Sequence, residues 1–188
     1  VFTGSTEVGK KIMAGCAHQV KRVTLELGGK SANIVFADAD LEKAAATAPY
    51  SVFENAGQDC CARSRILVQR SVFDKFMELL EPAVKGVKVG DPTLDSTEMG
   101  PLVSRAHFAS VSSFVDSDAP VAFRGSAPEG PGFWFAPTVL TPTSRTDRSM
   151  TDEIFGPVVS VVPFDDDDDA LTLANATEYG LSGSIWTR

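Results

Sequence analysis

The sequence predicts an α/β protein in three layers, an open and mainly parallel sheet with helices on both faces. Strand-like and helix-like segments alternate along the chain, which is the pattern that crossover connections of a parallel sheet produce. Two runs, ANIVFA (32–37) and PVVSVVPF (157–164), have the length and apolar content of buried strands. Neither an internal repeat nor a long linker interrupts the pattern.

Taken in order, residues 7–17 (EVGKKIMAGCA) read as a short helix after a turn at Thr3–Ser5. Residues 22–27 (RVTLEL) alternate like a strand that Gly28 and Gly29 break. After ANIVFA, Asp38 or Asp40 can cap a helix whose Leu41, Ala44, Ala45, Ala48 and Val52 fall at helical spacing. RILVQ (65–69) is the next strand, and Ser71 is placed to cap a helix with Val72, Phe73, Phe76, Leu79, Leu80 and Val84 on one apolar stripe. That stripe reads as core, not as a cofactor surface. Residues 118–136, rich in Pro, Gly and Ser, read as loops around short strands. Five aspartates, Asp165 to Asp169, precede ALTLANAT, where carboxylates favour a helix N-terminus; they lack the glycine and spacing of a calcium loop.

Composition narrows the function. The chain has 188 residues, 43% hydrophobic and 22% charged, with a formal charge of −8. That charge repels nucleic acid and anionic membrane surfaces. Apolar runs are too short to cross a bilayer, and the polar opening VFTGSTEVGKK is unlike a secretory leader. The chain opens on two apolar residues with no initiator methionine, as expected of a piece cut in mid-strand. Three cysteines, two of them the neighbours Cys60 and Cys61, make a poor disulfide framework and favour a reducing, cytoplasmic setting. With two histidines and no CxxC pair, no metal site is expected.

The chemistry-bearing candidate is Cys60, set in the turn FENAGQDCCARSR (53–65) between a helix and a strand. A catalytic thiol needs access and a means of populating the thiolate. Arg63 and Arg65 would help ionisation and Asp59 would oppose it, while a small buried cysteine with no catalytic role has the same composition. Upstream, Glu26 sits in LELGGKS (25–31), and downstream lies DEIFGPV (152–158).

These three segments together resemble the aldehyde dehydrogenases. Phe53, Asn55, Gly57, Gln58, Cys60, Ala62 and Arg65 match the family's cysteine signature, with Cys60, not Cys61, at the nucleophile position. The resemblance, which covers Val1 to Arg188, implies that Glu26 is the general base. It also implies that Gly4, Ser5, Leu27, Glu153 and Phe155 contact an NAD or NADP cofactor, with Asp59 and Cys61 near the aldehyde substrate. Residues 1–28 then read as the end of a dinucleotide-binding domain and 29–188 as the thiol-bearing catalytic domain. The longer parent is implied to be a homo-oligomer, and the isolated chain to have little or no activity. GQDC resembles the subset acting on cationic aldehydes.

Two rival readings exist. Residues 4–10 (GSTEVGK) fit the first span of a P-loop, and IVFAD (34–38) mimics a strand ending in aspartate, but Lys11 stands where a Ser or Thr hydroxyl is needed. The other is a truncated, non-catalytic interaction module, whose exposed apolar surface would make it self-associate.

Overall fold

The computed structural model describes residues 1–188. Its centre is a six-stranded sheet of β3 (Ala32–Val35), β4 (Arg65–Gln69), β5 (Val121–Arg124), β6 (Thr138–Leu140), β7 (Val158–Phe164) and β8 (Gly183–Trp186). The spatial order is β5-β6-β7-β4-β3-β8, parallel throughout except for the antiparallel edge pair β5–β6. β1 (Phe2–Thr3) and β2 (Leu25–Glu26) pair only with each other, in parallel.

Both faces of the sheet are covered, because each central strand is apolar at successive positions. Val35, Ile66, Val68, Val159 and Val161 join one core with α2 (Leu41–Phe53) and α3 (Phe73–Lys85). Ile34, Leu67, Val162 and Phe164 join a second core with α5 (Arg148–Thr151) and α6 (Asp167–Ala174). Alternate side chains of one strand therefore feed opposite layers, and the three-layer expectation holds. α1 (Thr6–Ala17) lies between β1 and β2, and α4 (Arg105–Ser112) contributes Val111 to the first core.

Several caps explain where helices start. Asp40 accepts from Lys43 N–H at 3.0 Å and opens α2, while Asp38 accepts from Thr187 and Arg188 instead. Asp166 opens α6 through the Asp169 N–H, and Asp165 and Asp169 pair with Arg70 and Arg145, so three of the five aspartates are engaged locally. Ser71 does not cap α3: it lies inside a single 3₁₀ turn at Arg70–Val72, and the helix begins at Phe73 with no side-chain cap. The stripe itself is core, with Phe76, Leu80 and Val84 buried. The strand expected over 22–27 shrinks to Leu25–Glu26, since its partner β1 offers only two residues. Sequence reading also missed α4, α5, β6 and β8, which are short.

Two buried cations sit where β3 and β4 begin. Arg65 donates Nε–H to the Lys30 carbonyl at 2.9 Å, and its other nitrogens to the carbonyls of Leu173 (2.7 Å) and Ala174 (2.9 Å) at the end of α6. Lys30 is 1% exposed, and its ammonium meets no hydrogen-bond partner in the protein. Burial, then repulsion from Arg65, lowers its pKa from 10.5 to about 7, against the pull of Asp152, Glu153 and Asp147. Between those values the unfolded chain holds a proton that the folded chain has released. Stability therefore rises with pH across that window, by up to about 1.4 kcal/mol per unit, and flattens below it. Urea unfolding at pH 7 and pH 9 should show the rise, and Lys30→Met should abolish it; an unchanged slope in the variant would assign the effect elsewhere.

Candidate active site

The three motifs each lead directly into a strand, and those strands are neighbours. LELGGKS runs into β3, the Cys60 turn into β4 and DEIFGPV into β7, with Ala32 level with Arg65 and Arg65 level with Ser160. Because the strands are parallel, all three motifs arrive at the same edge of the sheet.

There they pack backbone to backbone. A Cβ on Gly29 would overlap the carbonyl oxygen of Cys60, and one on Gly57 would overlap the carbonyl of Gly156. Gly57 also needs its glycine for conformation, at φ +69°. The Gly29 N–H donates to Glu153 Oε1 at 3.0 Å, and the rest of that carboxylate lies against the Cα of Gly28. Glu153, expected at the cofactor, thus also ties the third motif to the second.

The turn before the thiol is built by its own amides. Asn55, Ala56 and Gly57 are all left-handed, at φ 51°, 56° and 69°. Asn55 tolerates this conformation well, and its amide donates to the Gln58 carbonyl while Gln58 Nε2 donates back to the Asn55 carbonyl, both at 2.9 Å. Gln58 Oε1 accepts from the Val103 N–H at 2.9 Å, anchoring the turn to the segment before α4. Phe53 and Ala62 are buried at its two ends.

Cys60 itself is half-buried, between exposed Asp59 and half-buried Cys61, and all three cysteines of the chain are free. Burial first, then contact with Cys61 and the charge of Asp59, pushes the Cys60 thiol above its ordinary value; its own N–H opposes this. The sequence expectation that Arg63 and Arg65 would aid ionisation does not hold. Arg65 is committed to three carbonyls on the far side, and Arg63 donates to the Cys61 carbonyl. Ligand atoms of Asp59, Cys60 and Cys61 lie within 4.8 Å of one another, but three consecutive residues fall short of the four ligands of a structural zinc site. In addition, Asp59 Oδ1 already accepts from the Cys61 N–H.

The remaining expected residues, Phe155 apart, belong to the segment of β1, α1 and β2. Glu26 is exposed at the end of β2. Leu27 packs its methyl groups on Gly9 of α1. Gly4 is exposed, and Ser5 caps α1, its hydroxyl oxygen accepting from Val8 N–H at 3.4 Å. Glu7 in that first turn is paired with Lys11 at 2.6 Å, which offsets its charge beside the free N–H groups of the helix start. Phe155 is 40% exposed, and its carbonyl lies 2.6 Å from His107 Nε2. Nothing in the sequence pointed to His107, because the helix carrying it was not anticipated.

The P-loop alternative fails on geometry. The helix starts at Thr6, leaving no loop between Gly4 and Lys10 to wrap a phosphate, and β1 pairs with β2 instead of joining the strand of IVFAD. No helix of the chain is long and apolar enough to cross a membrane.

Known proteins match the whole of this arrangement. An aldehyde dehydrogenase of Aspergillus niger is 44% identical over 192 residues, covering all of this chain and 39% of the relative. The betaine aldehyde dehydrogenase of Bacillus subtilis is 42% identical, with 100% and 40% covered. The crystal structure of the Staphylococcus aureus betaine aldehyde dehydrogenase with NAD+ superposes at a TM-score of 0.93, with 42% identity, over 100% of this chain and 39% of that one. The chain thus spans about two-fifths of the length of these relatives. The profile of the aldehyde dehydrogenase family matches residues 1–188 from end to end, and with its three motifs on one sheet edge the chain belongs to that family.

Proposed function

We propose that this chain is the thiol-bearing part of an enzyme that oxidises an aldehyde to a carboxylic acid with NAD or NADP. The observation that carries the reading is the junction of the three motifs, where Gly29 packs on the Cys60 carbonyl and bonds Glu153. Cys60 gives up its proton to water and, as the thiolate, adds its sulfur to the aldehyde carbon; a C–S bond forms and the C=O double bond opens to an oxyanion that the Cys60 N–H stabilises. A dinucleotide held here would supply the oxidised ring that takes the hydride from this carbon, and the C–O bond left behind becomes the carbonyl of a thioester. Glu26 then takes a proton from water, which attacks the thioester; the C–S bond breaks and the acid leaves. Glu26 is exposed in this chain, so it can exchange that proton with solvent.

The residues present fit a dinucleotide. The start of the 12-residue α1 offers N–H groups to a pyrophosphate, Gly4 brings no side chain there, and Phe155 presents an exposed ring. We assign residues 1–28 to the cofactor domain, because β1 and β2 pair apart from the main sheet. Free cysteines support a cytoplasmic setting, and the whole protein is proposed to be a homo-oligomer. Asp59 and Cys61 flank the nucleophile, and the Asp59 carboxylate supports a cationic aldehyde, in keeping with the betaine aldehyde dehydrogenases among the relatives.

Three outcomes test this. In the whole protein, Cys60→Ala should lower turnover by at least about a thousandfold, and Cys61→Ala should leave it within a few-fold; the reverse result would move the nucleophile to Cys61. In the isolated chain, alkylation of Cys60 read by peptide mass mapping should climb about tenfold per pH unit between pH 7 and 9, because only the thiolate reacts. Asp59→Asn should accelerate it at pH 7, whereas a flat pH profile would contradict the raised thiol. Finally, kcat/KM for betaine aldehyde over a neutral aldehyde of like size should fall in Asp59→Asn; an unchanged ratio would turn Asp59 away from the substrate.

A further inference from the structure

Phe155 occupies the left-handed region at φ 55° with its side chain 40% exposed. A bulky residue there is strained and persists only where its surroundings hold it. Helix α4 supplies that hold at two points one turn apart. His107 Nε2 lies 2.6 Å from the Phe155 carbonyl oxygen, and the two rings meet edge to face at 6.0 Å and 68°. Val111 packs its methyl groups against the Cα of Gly156, leaving no space for a Cβ. The helix is itself fixed, since Ser104 caps it through the His107 N–H at 3.1 Å and Gln58 accepts from Val103 just before it.

A carbonyl oxygen only accepts, so the imidazole must present its proton on Nε2. We infer that His107 is the positioning residue of Phe155: it donates Nε2–H to the Phe155 carbonyl and sets the exposed ring against the nicotinamide side of the cofactor. This rests on the reading of Phe155 as a cofactor contact. His107 touches no reacting atom in this role and acts only through the turn it holds. It also links the two halves of the edge, because the α4 segment that carries it is bonded to the turn of the nucleophile.

The imidazole proton can be located directly. His18 is the one other histidine, so ¹⁵N NMR of the isolated chain at a pH where the rings are neutral resolves His107. Protonated Nε2 with bare Nδ1 is expected; protonated Nδ1 would overturn the inference. His107→Leu should speed hydrogen exchange at the Val158 and Thr138 amides, which donate to the Gly156 and Pro157 carbonyls of this turn, by about three- to tenfold, the worth of one hydrogen bond. His107→Gln, which keeps an N–H donor, should restore it. In the whole protein the same pair should raise and restore the KM for NAD+, leaving the KM for aldehyde in place. Unmoved exchange, or a KM for NAD+ that does not follow it, would overturn the positioning role. The NMR and exchange measurements use no cofactor, so their failure leaves the dehydrogenase reading to stand or fall on Cys60. Should His107→Leu fail to fold, the wild-type tautomer and the Gln variant still decide.

Discussion

The parallel register of β7, β4 and β3 is the constraint on which the site depends. Three loops far apart in sequence meet because each enters one of these strands at the same edge. In open α/β sheets ligands ordinarily gather at the carboxyl ends of strands; here the motifs gather at the amino ends. The meeting is made possible by omission of side chains. Gly29 against Cys60 and Gly57 against Gly156 bring main chain onto main chain, and any larger residue would force the loops apart. Since the Cys60 carbonyl is one of the surfaces in contact, the position of the thiol is set by the sheet register, not by the flexibility of its own loop.

Electrostatically the site is unfinished in an informative way. Burial, Cys61 and Asp59 all hold the Cys60 proton on. The nearest candidates to oppose them are turned elsewhere: Arg65 serves the end of α6, and Lys30 is buried with its pKa lowered to about 7. Positive charge entering from outside the chain would favour the thiolate against these effects. A nicotinamide ring and a cationic aldehyde both bring such charge, so on the proposed reading the nucleophile is activated by what binds beside it. A thiol kept protonated until then is also less exposed to oxidation.

Much of this was legible in the sequence. RILVQ gives β4 to the residue, and the apolar stripe of α3 and the cap at Asp40 are where period and chemistry place them. Such features are local: a buried strand or a capped helix is written in adjacent residues. The misses are of a different kind. β6 and β8 are three and four residues long, too short for a period to register, and they exist because a neighbouring strand offers a partner. His107 was invisible for the same reason, since its function depends on a contact 48 positions away. Arg65 was misread because its neighbourhood in sequence contains the thiol, whereas its neighbourhood in space is the end of α6.

The cysteine motif shows why sequence resemblance identifies a family more surely than a substrate. Of its seven matching positions only Cys60 is proposed to carry the chemistry. Asn55 and Gln58 close the turn with reciprocal amide bonds, Gly57 permits the approach of Gly156, Phe53 and Ala62 fill the ends, and Arg65 fastens the following strand. Each is required by geometry that any aldehyde would share. The two residues beside the nucleophile, Asp59 and Cys61, face no such packing demand, being exposed and half-buried. Specificity is therefore to be sought at Asp59 and Cys61, in positions that the motif leaves open.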